Sequence, residues 1–177
     1  FFTVSDLRYR PVYFDDQSEA AQGYIDGECK AITTDRSALA ATRTTFPQPD
    51  AHVVLPEVIS KEPLGPLVAH DDSEWENIVR WTLNCMINAE ELGVNSENVS
   101  RRDTGSTPAI RRLLGTEGIT GETLGLNPQW CSRVIMQVGN YGEVYDKHIG
   151  PETPVGLERG INELWTNGGL IYAPPIR

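Results

Sequence analysis

The pattern of apolar and polar positions changes character about one third of the way along the chain. In the first part, short clusters of β-forming residues are separated by short polar stretches with helical signals. Residues 9–14 (Tyr-Arg-Pro-Val-Tyr-Phe) predict a strand that Pro11 confines to a sheet edge. Asp16 and Glu19 have capping-box spacing, and Gly27 is a natural stop, so a helix is expected over 18–26. Residues 29–34 predict a second strand, which ends at Asp35 where another helix opens and runs to about Thr44. Pro47 and Pro49 interrupt the chain before a third predicted strand, 52–55. Strands alternating with helices are the grammar of an open α/β layer, in which ligands collect beyond the carboxyl ends of the strands.

Beyond residue 60 the texture becomes mostly helical. Pro63 and Pro66 hold residues 60–70 out of helix, which reads as an extended crossover. Ser73 and Glu76 then suggest a capping box for a helix over 73–92, with Trp75, Ile78, Val79, Thr82, Leu83, Met86 and Leu92 along one face. Residues 95–127 are rich in Gly, Thr and Asn, with a short helix expected over 108–114. Asn127-Pro128 opens a long helix by the cap-then-proline rule, with a stripe from Trp130 through Val134, Ile135 and Val138 to Tyr141. The tail from Gly168 is extended. No internal repeat or low-complexity tract is visible.

Charge narrows the classes of function. With 15 Lys+Arg against 25 Asp+Glu, the formal net charge is -10, and the densest basic spots are the pairs Arg101-Arg102 and Arg111-Arg112. Nucleic acid and anionic membranes need a clustered positive surface, so neither is expected as a partner. No apolar run approaches the ~18 to 20 residues that span a bilayer. The opening Phe1-Phe2 reads as a cut inside a domain, so a fragment or processed chain is expected.

Catalytic constellations are scarce. His52, His70 and His148 sit in unrelated contexts, and each reads as a surface or strand-end histidine. No nucleophile elbow or phosphate loop is present, and the glycines from Gly115 to Gly125 follow no strand. Neither a cofactor nor a metal is expected. The tryptophans Trp75, Trp81, Trp130 and Trp165 read mostly as packing residues. Cys29, Cys85 and Cys131 lack metal-ligand spacing. Cys85 and Cys131 lie on predicted long helices, where either buried thiols or a disulfide between packed helices would fit. Asp35 is the best single binding candidate, because a carboxylate at a strand end can hold an ammonium by a charge-assisted hydrogen bond. An ordinary helix N-cap is the competing reading.

Several strings together resemble a known family. They are Gly27-Glu-Cys-Lys-Ala-Ile-Thr-Thr-Asp35 with the residues to 39, then 52–66, 75–91, 111–118 and 137–144. The last is Trp165-Thr-Asn-Gly-Gly-Leu-Ile-Tyr-Ala-Pro-Pro-Ile-Arg177. The chain resembles the periplasmic general L-amino acid-binding proteins of ABC importers, within the type II substrate-binding proteins. The resemblance covers only about the carboxyl-terminal half of such a protein. It implies an α/β fold of two lobes. Residues 1–62 would complete the second, ligand-clamping lobe, 63–70 the hinge crossover, and 71–177 the helical part of the first lobe. It also implies capture of free L-amino acids in the periplasm and delivery to a membrane permease, with no covalent chemistry. By motif, Asp35 takes the position that holds the ligand's α-amino group, with Thr34 beside it. The arginine that grips the ligand carboxylate in that family would precede this chain, as would the usual partner of Cys29. Two alternatives stand beside this reading: a dehydratase-like enzyme on the same scaffold, and a non-binding fragment that self-associates.

Overall fold

The computed structural model describes residues 1–101 and 107–177; Arg102 of the first basic pair lies outside them. The chain divides into two compact units. One comprises residues 1–64 with 154–157, the other residues 65–153 with 158–177.

The first unit holds two helices, α1 (Gln17–Ile25) and α2 (Arg36–Thr44). Asp16 caps α1 through Oδ1, which accepts from the backbone N–H groups of Ser18 and Glu19 at 2.8 and 2.9 Å. Glu19 reaches back to the N–H of Asp15, one residue short of the reciprocal box expected from the spacing. Phe14 packs directly on Gly23, where an added Cβ would lie 2.4 Å from its Cζ. The Tyr24 ring stacks on Phe46, and its hydroxyl shares a 2.8 Å hydrogen bond with His52 Nδ1. These contacts tie α1 to the chain following α2.

The three strands expected over 9–14, 29–34 and 52–55 form no ladder among the described residues. The only bridge outside a helix there is an isolated parallel pair, Leu164 with Ile171, in the second unit. The reason is physical. β-Forming composition favours extended backbone, but a strand exists only when a neighbour takes up its N–H and C=O groups. No described segment offers those groups here.

The second unit is helical: α3 (Ser73–Glu91), α4 (Pro108–Leu114), α5 (Thr120–Thr123), α6 (Trp130–Val138) and α7 (Tyr141–His148). The cap of α3 is Asp72 rather than Ser73, its Oδ1 accepting from the Trp75 N–H at 2.9 Å. Glu76 pairs instead with Arg80, one turn on. The long helix expected from Asn127 is two helices, because Gly139 adopts φ 99° and ends α6. Asn140 then opens α7 with a full capping box: its Oδ1 accepts from Glu143 N–H at 2.9 Å, and Glu143 Oε2 accepts from Asn140 N–H at 2.7 Å. Gly115 ends α4 in the left-handed region at φ 74°, with Pro128 O so close that a Cβ there would lie 1.8 Å from it.

The core gathers on α3, α4 and α6. Cys85, Ala89, Val94, Leu113, Cys131 and Ile135 are all at most 2% exposed. Cys85 and Cys131 form a disulfide between α3 and α6, with their Cα atoms 5.9 Å apart, which settles the alternatives left open by the sequence. The tail crosses α3, burying Ala173 and Ile176, and Asn88 Nδ2 donates to Pro174 O at 2.9 Å. No helix among the described residues is long and apolar enough to cross a membrane.

Candidate functional site

The backbone of Asp35 is extended, φ -62° and ψ 151°, where the chain turns into α2. Its Oδ1 accepts two hydrogen bonds, from Ser37 Oγ at 2.6 Å and from the Ala38 backbone N–H at 2.8 Å. The residue is therefore a true N-cap. The Ser37 hydroxyl first, and the Ala38 N–H second, hold its carboxyl below the ordinary value of 3.8, outweighing a small opposing effect of burial. It is an anion at neutral pH. Both of these bonds fall on Oδ1, and the backbone N–H groups of Ser37 and of Asp35 itself add smaller stabilisation to the same carboxylate. Asp35 is half-buried and Thr34 exposed, and the two are adjacent only through the chain. Ser37 is the residue that sequence reasoning missed. Its signal was legible, since a Ser two residues after a capping Asp can donate to the same oxygen.

The histidines take separate paths. His52 belongs to the ring cluster with Tyr24 and Phe46. His70 pairs with Asp71 on an exposed stretch, and His148 sits in the last turn of α7. No group of three or more His, Cys, Asp or Glu side chains suited to a metal occurs among the described residues. Cys29 is free and partly buried. Of the four tryptophans, Trp130 is buried and Trp81 packs against the core, whereas Trp75 and Trp165 are about half-exposed. The packing role expected for most of them thus holds for two.

The second unit carries one mostly buried ionic cluster. Arg159, 10% exposed, pairs with Glu90 of α3, 16% exposed. Its guanidinium also donates to Asn162 O and lies 5.4 and 5.7 Å from the ring centroids of Tyr141 and Tyr145. Gly142 makes room for it, since a Cβ there would meet both Glu90 and Arg159. Glu143, besides closing its capping box, accepts from the backbone N–H and hydroxyl of Ser96. Burial raises its pKa, but these hydrogen bonds outweigh that effect and leave it lowered. Arg159, Glu90, Glu143, Ser96 and Asn140 thus meet partners within the unit, which gives them a structural role.

Asp35 thus stands as an ionised carboxylate at the start of α2, within the sparser of the two units. Comparison with known proteins supplies the family. No family model matches the chain. The putative amino-acid ABC transporter-binding protein YhdW of Escherichia coli is 47% identical over 178 residues, all of this chain and 52% of that protein. The general L-amino acid-binding periplasmic protein AapJ of Rhizobium johnstonii is 45% identical over 179 residues, and 52% of it is covered. The glutamate/glutamine/aspartate/asparagine-binding protein BztA of Rhodobacter capsulatus is 46% identical over 178 residues, with 53% covered. Among solved structures, an ABC transporter/periplasmic binding protein from Brucella ovis with glutathione bound superposes with a TM-score of 0.91. It shares 44% identity over 99% of this chain and 56% of that one. The chain is a homologue of the amino-acid-binding proteins of ABC transporters, and it spans about half the length of the curated relatives it matches. Its fold is that of part of a periplasmic binding protein, in which the helix-rich region is what this chain most fully forms. The relatives are named as binding proteins, and the enzyme alternative finds no support among them.

Proposed function

We propose that the chain forms part of the solute-binding component of an amino-acid ABC importer, which captures L-amino acids in the periplasm and delivers them to the membrane permease. In this reading residues 1–62 belong to the ligand-clamping lobe, 63–70 to the hinge crossover and 71–177 to the first lobe. Asp35 accepts the ligand's α-ammonium through Oδ2, and Thr34 borders the same site. The observation that carries the reading is Asp35 itself, an ionised carboxylate at the start of α2 whose Oδ1 takes the capping bonds. A periplasmic location agrees with the Cys85–Cys131 disulfide, since such bonds persist in oxidising compartments.

Free amino acids and glutathione share a chemical feature that fits this site. Glutathione is linked through the γ-carboxyl of its glutamate, so its α-ammonium and α-carboxylate remain free. A site that grips this pair through Asp35 would accept either ligand and leave selection to the rest of the pocket.

Calorimetry on the full-length protein, comparing Asp35→Asn with Asp35→Ala, tests the assignment. Asn is as good an N-cap as Asp, whereas Ala is not. The Asn variant should keep the fold and the α2 cap, losing only the small stability that ionisation adds, yet bind glutamate or glutathione about 10- to 150-fold more weakly, the value of one charge-assisted hydrogen bond of about 1.5–3 kcal/mol. Wild-type affinity in Asp35→Asn would leave Asp35 as a cap alone.

A further inference from the structure

The Ser37 hydroxyl bonds Asp35 in a way that capping α2 does not call for. A helix start has backbone N–H groups to satisfy, and the Ala38 N–H on Asp35 Oδ1, at 2.8 Å, meets that need. The hydroxyl is not one of those groups. It nonetheless donates to the same oxygen at 2.6 Å, within the range of a charge-assisted bond to a carboxylate. Both residues are half-buried, so water competes less for this bond than it would at an open surface.

The consequence is geometric. The terminal torsion of an aspartate is broad, so a carboxylate held by one donor can swing about its Cβ–Cγ bond. Two donors on Oδ1, one from a side chain and one from the backbone, fix its plane. A hydrogen bond to an ammonium depends on that direction. We infer that Ser37 is a positioning residue for amino-acid binding, its hydroxyl fixing the Asp35 carboxylate in the orientation that receives the ligand's α-ammonium. This inference rests on the reading of Asp35 as the ammonium's partner, and it adds the residue through which that contact is aimed. Ser37 itself does not touch the ligand. The same bond is the leading reason that the Asp35 carboxyl titrates below its ordinary value, so it keeps the group anionic as well as aimed.

The test is calorimetric titration of the full-length protein with L-glutamine, whose side chain carries no charge to titrate. Ser37→Ala should bind about fivefold more weakly at pH 7, the value of one hydrogen bond of about 1 kcal/mol. The pH at which affinity falls away should lie higher in Ser37→Ala than in the wild type, because Asp35 loses its leading anionic stabilisation. Ser37→Thr, whose hydroxyl can donate to the same oxygen, should restore both. The Ala38 N–H still caps α2 in each variant, so urea denaturation should find them folded. Within Asp35→Asn, which has no carboxylate to aim, Ser37→Ala should cost little more. Three results overturn the inference: wild-type affinity and pH profile in Ser37→Ala, weaker binding with an unmoved pH profile, or an undiminished loss within Asp35→Asn. The last would put the Ser37 hydroxyl on the ligand itself. Each of these leaves the Asp35 reading standing if Asp35→Asn binds weakly, whereas wild-type affinity in Asp35→Asn removes that reading and this inference with it.

Discussion

The two units differ in how much of their chemistry is turned inward. Residues 65–153 with 158–177 close a disulfide, bury a core from three helices and commit the charges of Glu90, Arg159 and Glu143 to partners within the unit. Residues 1–64 with 154–157 bury few apolar side chains, among them Ala40, Phe46 and Leu157, and leave Tyr13, Val53 and Leu55 largely in solvent. Yet Asp35, a capping carboxylate with a lowered pKa at the start of α2, lies in this sparser unit. Binding groups must keep valence to spare, whereas core groups are stabilised by using theirs. The contrast teaches that the charges of the second unit serve its own packing, whereas Asp35 in the first keeps its charge at a sparsely packed helix start.

Breaking the disulfide should have the largest effect on this comparison. Closing a loop across 46 residues between Cys85 and Cys131 stabilises by about 4 kcal/mol in the chain-entropy account. The double variant Cys85→Ser with Cys131→Ser should therefore lose most of the protection of α3 and α6 amides against hydrogen exchange. Amides of α2 should hardly change. Equal loss in α2 and α6 would show a single cooperative structure and dissolve the distinction between the units.

Arg159→Met should come next. It leaves Glu90 mostly buried without its cation and removes the guanidinium from the rings of Tyr141 and Tyr145. Removing one member of such a pair costs about 3 kcal/mol, chiefly through the charge left unpaired. The double variant Arg159→Met with Glu90→Gln should recover a good part of that loss in urea denaturation. If the double variant is no more stable than the single, the cluster contributes through packing around Gly142 rather than through charge.

What was legible in the sequence follows the range of the forces involved. The helices α1, α2 and α4 were readable because caps and stops act within a few residues: Asp16, Asp35, and the Pro108 to Gly115 interval each carry their signal locally. The split between α6 and α7 was less so, because Gly139 and Asn140 sit inside a stripe that continues helically through Tyr141. Strands were named from composition but require a partner at a distance, and composition cannot say whether one is present. The ion pair of Glu90 with Arg159 spans 69 residues and left no trace in spacing. At the candidate site, Asp35 was visible as a residue type at a strand-to-helix turn. That its Oδ1 takes both the Ser37 hydroxyl and the Ala38 N–H became visible only in the folded chain.

The smallest effect is also the one that separates the two roles of Asp35. Because hydrogen bonds from Ser37 and Ala38 hold its folded pKa below 3.8, the ionised carboxylate stabilises the folded state. That contribution is fully present above the unfolded value near 3.8 and is lost as pH falls through the folded value. Asp35→Asn removes the titration and keeps the cap. The stability difference between wild type and Asp35→Asn, measured by urea denaturation at each pH, should thus be constant from pH 7 down to about 4 and shrink below it. Ser37→Ala should diminish the shrinkage by removing the largest of the hydrogen-bonding causes. A difference that stays flat to the lowest pH would mean that Oδ1 gains nothing from ionisation in the cap. The charge of Asp35 would then be held for a ligand alone, which moves the residue still further from the self-contained chemistry of the second unit.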